Sequence, residues 1–132
     1  MFRTILVPVD VEHKDKMEKA QQVAADLARQ YGSKIHIVGV AAFASGKDDY
    51  TAKLEYYAGE LAERHDMEFV PHAVICHDLG AELVRMLSEQ VDELDVDLVV
   101  MASHAPGFMD HFFSSNANLL TAHIDRSVLV VR

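Results

Sequence analysis

Cysteine is nearly missing from this 132-residue chain: Cys76 stands alone, so no disulfide can form within it. A lone thiol fits a reducing cytoplasm, and its place at the end of an expected strand predicts a buried, inert role. Basic residues are scarce, 12 against 21 acidic ones, for a net charge of −9. That balance argues against nucleic acid or an anionic membrane as partner, since both need basic patches. It also obliges any bound nucleotide to find a metal ion or backbone donors to offset repulsion. No apolar run approaches the ~20 residues of a membrane span, and Ile5 to Val9 is too short for a signal sequence. Three familiar motifs are missing: the phosphate loop Gly-x-x-x-x-Gly-Lys, the dinucleotide Gly-x-Gly-x-x-Gly and the nucleophile elbow Gly-x-Ser-x-Gly. With no repeat, low-complexity tract or linker either, residues 1–132 read as one domain.

What is present is an alternation of two periodicities. Apolar, β-branched runs predict strands over Arg3 to Val9, Lys34 to Ala42, Glu68 to Cys76, Asp97 to Ser103 and Ser127 to Val131. Pro71 demotes the third of these to a sheet edge, because proline cannot donate to the ladder. Gly39, inside the second, predicts a close approach, most simply a tight helix–sheet contact. Between the strands, Met17, Ala20, Val23, Ala24, Leu27, Ala28 and Tyr31 repeat at helical spacing, and Gly32 suits the position just past the helix end. Tyr50, Leu54, Tyr57, Leu61 and Ala62 mark a second helix through about His65. A turn at His77 to Gly80 precedes a third, marked by Leu83, Val84, Leu87, Val91 and Leu94. A fourth is expected over Ala117 to Ile124. Strands alternating with helices at this spacing predict a parallel sheet with helices on both faces.

The stretch from Asp97 onward organises the chain: an apolar strand, the loop His104 to Phe113, the cap-forming Ser114-Ser115-Asn116, a helix and a last strand. Open α/β sheets bind ligands at the carboxyl ends of their strands, and a helix start collects N–H groups able to hold a phosphate. Asp10, at the end of the first strand, either caps its own loop, accepts hydrogen bonds from ribose hydroxyls or helps hold a metal. Eight histidines invite a metal reading through His104, Asp110, His111 and His13. No ligand spacing supports it, and scattered surface histidines are the simpler reading.

Four segments carry a family resemblance. The opening Phe2-Arg3-Thr4-Ile5-Leu6-Val7-Pro8-Val9-Asp10, the middle Gly80-Ala81-Glu82, the run Asp97-Leu98-Val99-Val100-Met101-Ala102-Ser103-His104 and the ending Ser127-Val128-Leu129-Val130-Val131-Arg132 resemble the universal stress protein family, in order and spacing over essentially the whole chain. The resemblance implies an adenine nucleotide alpha hydrolase-like fold: a five-stranded parallel sheet in the order 3-2-1-4-5. Its switch point would set Asp10 across a crevice from the loop after Met101. It further implies binding of ATP, with Mg2+, at Pro8, Val9, Asp10, Val40, Met101, Ala102, His104, Ala105, Ser114, Ser115 and Asn116, where the Val40 backbone reads the adenine. At most, slow ATP hydrolysis or autophosphorylation would accompany it, with no catalytic residue to name.

ATP-binding members carry Gly-x-x-Gly and then Gly-Ser or Gly-Thr. Here the matching positions are Ala102, Ala105, Ser114 and Ser115, in a loop one residue shorter. His104-Ala105-Pro106-Gly107 resembles a short-loop branch of the family. A nucleotide-independent dimeric regulatory or adaptor module is therefore the second reading. A phospho-receiver domain, of similar architecture, lacks its lysine at the end of the fifth strand. The family's pairing of terminal strands implies a homodimer through Val128 to Val131, and an apolar edge strand gives a physical reason for it.

Overall fold

A computed structural model of the chain describes residues 1–41, 46–103 and 122–132, with the backbone alone at 79–81. Five strands form one sheet: β1 (Thr4–Val9), β2 (Lys34–Ala41), β3 (Phe69–Ile75), β4 (Leu98–Ala102) and β5 (Ser127–Val131). Their order is β3-β2-β1-β4-β5, and every pairing is parallel. Among the described residues, three α-helices connect them: α1 (Glu18–Tyr31), α2 (Lys47–His65) and α3 (Leu79–Glu93). Right-handed crossovers in this order send α1 and α2 to one face and α3 to the other. The central strands are accordingly buried on both faces: Ile5 to Val9 and Leu98 to Ala102 are buried without interruption.

Local chemistry sets the boundaries. α1 ends at Gly32, whose φ of 67° is open to glycine without a Cβ clash and whose N–H closes on the Ala28 carbonyl. α2 ends the same way on Asp66, a short polar residue that tolerates the left-handed region, at φ 53°. Asp97 ties the start of β4 to the start of β1. Its Oδ2 accepts the N–H groups of Arg3 (2.7 Å) and Thr4 (3.1 Å), while its own N–H donates to the Thr4 carbonyl at 2.9 Å.

Most expected elements are found, with shifted ends. β1 starts at Thr4 rather than Arg3, and β3 runs from Phe69 to Ile75 rather than from Glu68 to Cys76. Pro71 does lie on an edge strand, beside Ile37. The segment from Val11 to Lys16 contains a 3-10 turn over Lys14–Lys16. The turn expected at His77 to Gly80 is shorter: α3 already begins at Leu79, so Gly80 is inside its first turn. There the N–H groups have no intrahelical partner, and glycine costs less than in a helix interior. α2 likewise begins at Lys47, ahead of its apolar repeat. Asp48 and Asp49 in its first turn complement the positive end of the helix dipole. The fourth helix lies mostly outside the described residues, although Ala122 and His123 are helical and Ile124 is buried. Cys76 is buried beside the end of β3, its thiol 3.4 Å from the Asp78 carbonyl, and burial raises its pKa.

Candidate functional site

The order places β1 and β4 side by side at the switch point, where connections leave in opposite directions. Their ladder pairs Ile5 with Leu98 and Leu6 with Val99. Continued at the same spacing, it sets Pro8 level with Met101, Val9 with Ala102 and Asp10 with Ser103. The carboxyl end of β1 and that of β4 therefore open on the same rim. Met101, Ala102 and Ser103 are buried there, as are Pro8 and Val9. His104, Ala105, Ser114, Ser115 and Asn116 lie outside the described residues.

Asp10 is largely buried, and both of its oxygens are engaged in its own loop. Oδ1 accepts the Glu12 N–H at 3.0 Å, Oδ2 lies 2.9 Å from His13 Nδ1, and the His13 N–H closes the turn on the Asp10 carbonyl at 3.1 Å. The loop-capping role is thus realised. Each oxygen keeps lone-pair capacity for a further donor, and the turn fixes where that donor must stand.

Tyr50 is the residue that periodicity assigned only to a helix face. From the first turn of α2 its ring reaches over Gly39, which brings its hydroxyl beside the Val40 backbone. A Cβ at Gly39 would stand 3.0 Å from Tyr50 Cε1, 3.1 Å from Cζ and closer still to the hydroxyl. The missing side chain makes the room, so the glycine does mark a tight helix–sheet contact. Burial, then the nearby Asp10 carboxylate, raises the Tyr50 pKa, and the Val40 backbone opposes the rise. The phenol is neutral at any physiological pH. It lies beside the backbone position expected to read an adenine.

Positive charge reaches the rim from a direction the sequence did not announce. A cavity of about 150 Å³ at the ends of β4 and β5 is lined by Lys16, Lys19, Ala102, Ser103 and Arg132. The Ser103 N–H donates to the Val131 carbonyl at 2.9 Å, and the Lys19 ammonium reaches the Arg132 carbonyl. Eighty-odd residues separate these lysines from Ser103 in the chain, so no local motif could have joined them. A larger cavity of about 380 Å³ lies between the β1 loop and α2, lined by Val11, Glu12, Lys14, Ala52, Lys53 and Tyr56. Among the described residues, no group of three or more His, Cys, Asp or Glu side chains is placed to hold a metal ion, and no helix is long and apolar enough to cross a membrane.

Comparison with known proteins bears on this geometry. Universal stress protein G of Salmonella typhimurium is 29% identical over 143 residues, covering 100% of both chains, and that of Escherichia coli O157:H7 is 29% identical over 142 residues with the same coverage. Among solved structures, the universal stress protein from Archaeoglobus fulgidus in complex with dAMP superposes with a TM-score of 0.74 at 18% identity, covering 98% of each chain. A universal stress protein in complex with cAMP gives 0.69 at 17% identity, over 99% of this chain and 97% of the other. The model of the universal stress protein family matches residues 1–132. A parallel sheet ordered 3-2-1-4-5, its switch point between β1 and β4 and that full-length match agree: the chain belongs to the universal stress protein family.

Proposed function

We propose that this protein binds an adenine nucleotide, ATP with Mg2+ in the first instance, in the crevice between the Asp10 loop and the segment following Met101, and that it serves in a stress response through that binding. The observation that carries the reading is the side-by-side placement of the β1 and β4 ends, which brings Asp10 level with Ser103. A ribose would meet the Asp10 carboxylate, and the base would meet the Val40 backbone. The phosphates would lie toward Ala102, His104, Ala105 and Ser114 to Asn116, with Lys16 and Lys19 nearby to offset their charge. The solved relatives holding dAMP and cAMP support the choice of ligand class.

The test is a thermal shift with Mg-ATP and with AMP, beside mass spectrometry of the protein as purified for carried-over nucleotide. The expected result is a rise in melting temperature that Asp10→Ala with Ser115→Ala removes. No shift at millimolar nucleotide would overturn the reading in favour of the second one, a nucleotide-independent dimeric adaptor. One observation favours that rival: the Tyr50 ring lies over Gly39, next to the Val40 backbone. In both readings the protein is a cytoplasmic homodimer. β5 supports the dimer, because it is an outer strand of the sheet with Leu129 and Val130 exposed at 37% and 40%. The single buried thiol fits the cytoplasm.

A further inference from the structure

We propose that His36 and His72 form a two-histidine site for a divalent transition-metal ion on the sheet face turned away from α2. Gly39 faces Tyr50 of α2, so the alternation of β2 turns Lys34, His36, Val38 and Val40 to the opposite face. The register sets His36 beside Val70 and Val38 beside His72, which makes the two histidines diagonal neighbours on that face. Their rings lie 4.9 Å apart at 37°, and His36 Nδ1 is 2.7 Å from His72 Nε2. Two ring nitrogens thus converge on one point from adjacent strands.

The chemistry at that point is restrictive. At 2.7 Å one nitrogen donates and the other accepts, so two imidazolium rings cannot share the contact. Burial lowers the pKa of both rings. For His36 the partner ring and then Lys34 add to the effect against a small opposing influence of Glu68; for His72 it is Lys34 that adds. Burial thus works toward the neutral ring, the form that binds metal. A metal held through bonds of about 2.0–2.1 Å at cis angles of 90–110° wants its two nitrogens roughly 2.9–3.4 Å apart. The rings need only swing apart by a few tenths of an ångström. The proton between them moves through solvent to the outer nitrogen of its ring, so both rings stay neutral and no net proton is released. His36 is buried and fixes the site, while His72 is half-buried, and water would complete the coordination from its exposed side. Lys34 and Glu68 share the face one step along the ladder, both exposed, and their charges offset. Imidazole pairs select Zn2+, Ni2+, Co2+ and Cu2+ over Mg2+ and Ca2+.

The experiment titrates the full chain with Zn2+ and Ni2+, reading calorimetric stoichiometry and melting temperature. One metal per chain at micromolar concentration is expected, with a rise in melting temperature that Mg2+ and Ca2+ do not produce. His72→Phe keeps a ring on the half-buried face and should weaken binding by at least about tenfold; His77→Ala should leave it unchanged. In the unaltered protein, the His36 and His72 imidazole signals should be the first to respond to Ni2+ in a nitrogen-correlated spectrum. Binding of equal strength in His72→Phe would overturn the site, as would a response confined to other histidines or no binding at all.

Discussion

Replacing Gly39 with alanine tests the contact that Tyr50 of α2 makes with the sheet. The backbone there is not in the left-handed region, so any penalty is steric rather than conformational. The new Cβ would stand 3.0 Å from Tyr50 Cε1 and 3.1 Å from Cζ, with the hydroxyl nearer still. Carbon atoms in favourable contact are ~3.5–4.0 Å apart, so the ring must retreat by roughly 0.5 Å or more. Overpacking of this kind costs about 1–3 kcal/mol, which for a chain of this size lowers the melting temperature by about 4 °C per kcal/mol. With Tyr50 reduced to alanine the clash partner is gone, and Gly39→Ala should become neutral or stabilise by about 0.4–1 kcal/mol through the unfolded chain. Tyr50→Phe should give partial relief, because it removes the nearest atom and leaves both ring carbons. Urea denaturation of the cycle Gly39→Ala, Tyr50→Ala and the double variant then reads a coupling of about 1–3 kcal/mol. A Gly39→Ala penalty that is the same with and without the Tyr50 ring would refute the reasoning.

Other perturbations probe the frame and the edge. Gln21 and Tyr57 are both buried, and the Gln21 amide donates to the Tyr57 hydroxyl while Gln21 Oε1 has no partner. Gln21→Leu alone should cost about 1–3 kcal/mol in denaturation, whereas Gln21→Leu with Tyr57→Phe should be near neutral or stabilising, because no polar atom is then left stranded. His65 is buried against Phe69, and burial, then Arg64 and Arg29, lowers its pKa against an opposing Asp26. A folded-state pKa below 6.5 means that stability is complete above that pH and falls as acidification protonates the unfolded chain first. His65→Gln should therefore flatten the melting-temperature profile between about pH 7 and 5; an unchanged slope would count against its burial. If the proposed dimer forms through β5, Val130→Lys should give monomer in sedimentation, and a species unchanged from the unaltered protein would remove that strand from the interface.

The parts of this structure that could be read in advance are those set by near neighbours in the chain. Continuous apolar runs announced β1 and β4, Gly32 announced the end of α1, and Pro71 announced an edge. Gly80 misled because glycine signals a turn, yet the first turn of a helix tolerates it. Lys47, Asp48 and Asp49 hid the start of α2 because they answer to the helix dipole and not to an apolar face. The long-range features had no local signature. Tyr50 over Gly39, Lys16 and Lys19 beside Ser103, and His36 against His72 each depend on which strands adjoin and in what register. A register slip of one residue would turn His72 to the other face and dissolve the pair. Asp97 fell within the stretch that organises the site, yet it serves the opposite end of the sheet, holding β4 to β1.

The choice between nucleotide binder and adaptor then reduces to a free-energy difference at Val40. If the Tyr50 side chain over Gly39 blocks that backbone, the observed affinity is the intrinsic one multiplied by the fraction of molecules with Tyr50 withdrawn. The ring brings its contact over Gly39, and the hydroxyl would bring at most one hydrogen bond to the Val40 backbone. A hydrogen bond of this kind is worth about 0.5–1.5 kcal/mol net. With partial loss of ring burial the total reaches ~1–3 kcal/mol, which corresponds to a 5- to 150-fold attenuation of affinity. Tyr50→Ala should tighten ATP by a factor in that range, and Tyr50→Phe, which keeps the ring and frees the Val40 backbone, by the smaller part of it. Calorimetric titration of the three proteins separates the cases. Equal, measurable affinity in all three would show that Tyr50 does not compete, and absence of binding even in Tyr50→Ala would leave the crevice without a nucleotide and the dimeric adaptor as the reading of this chain.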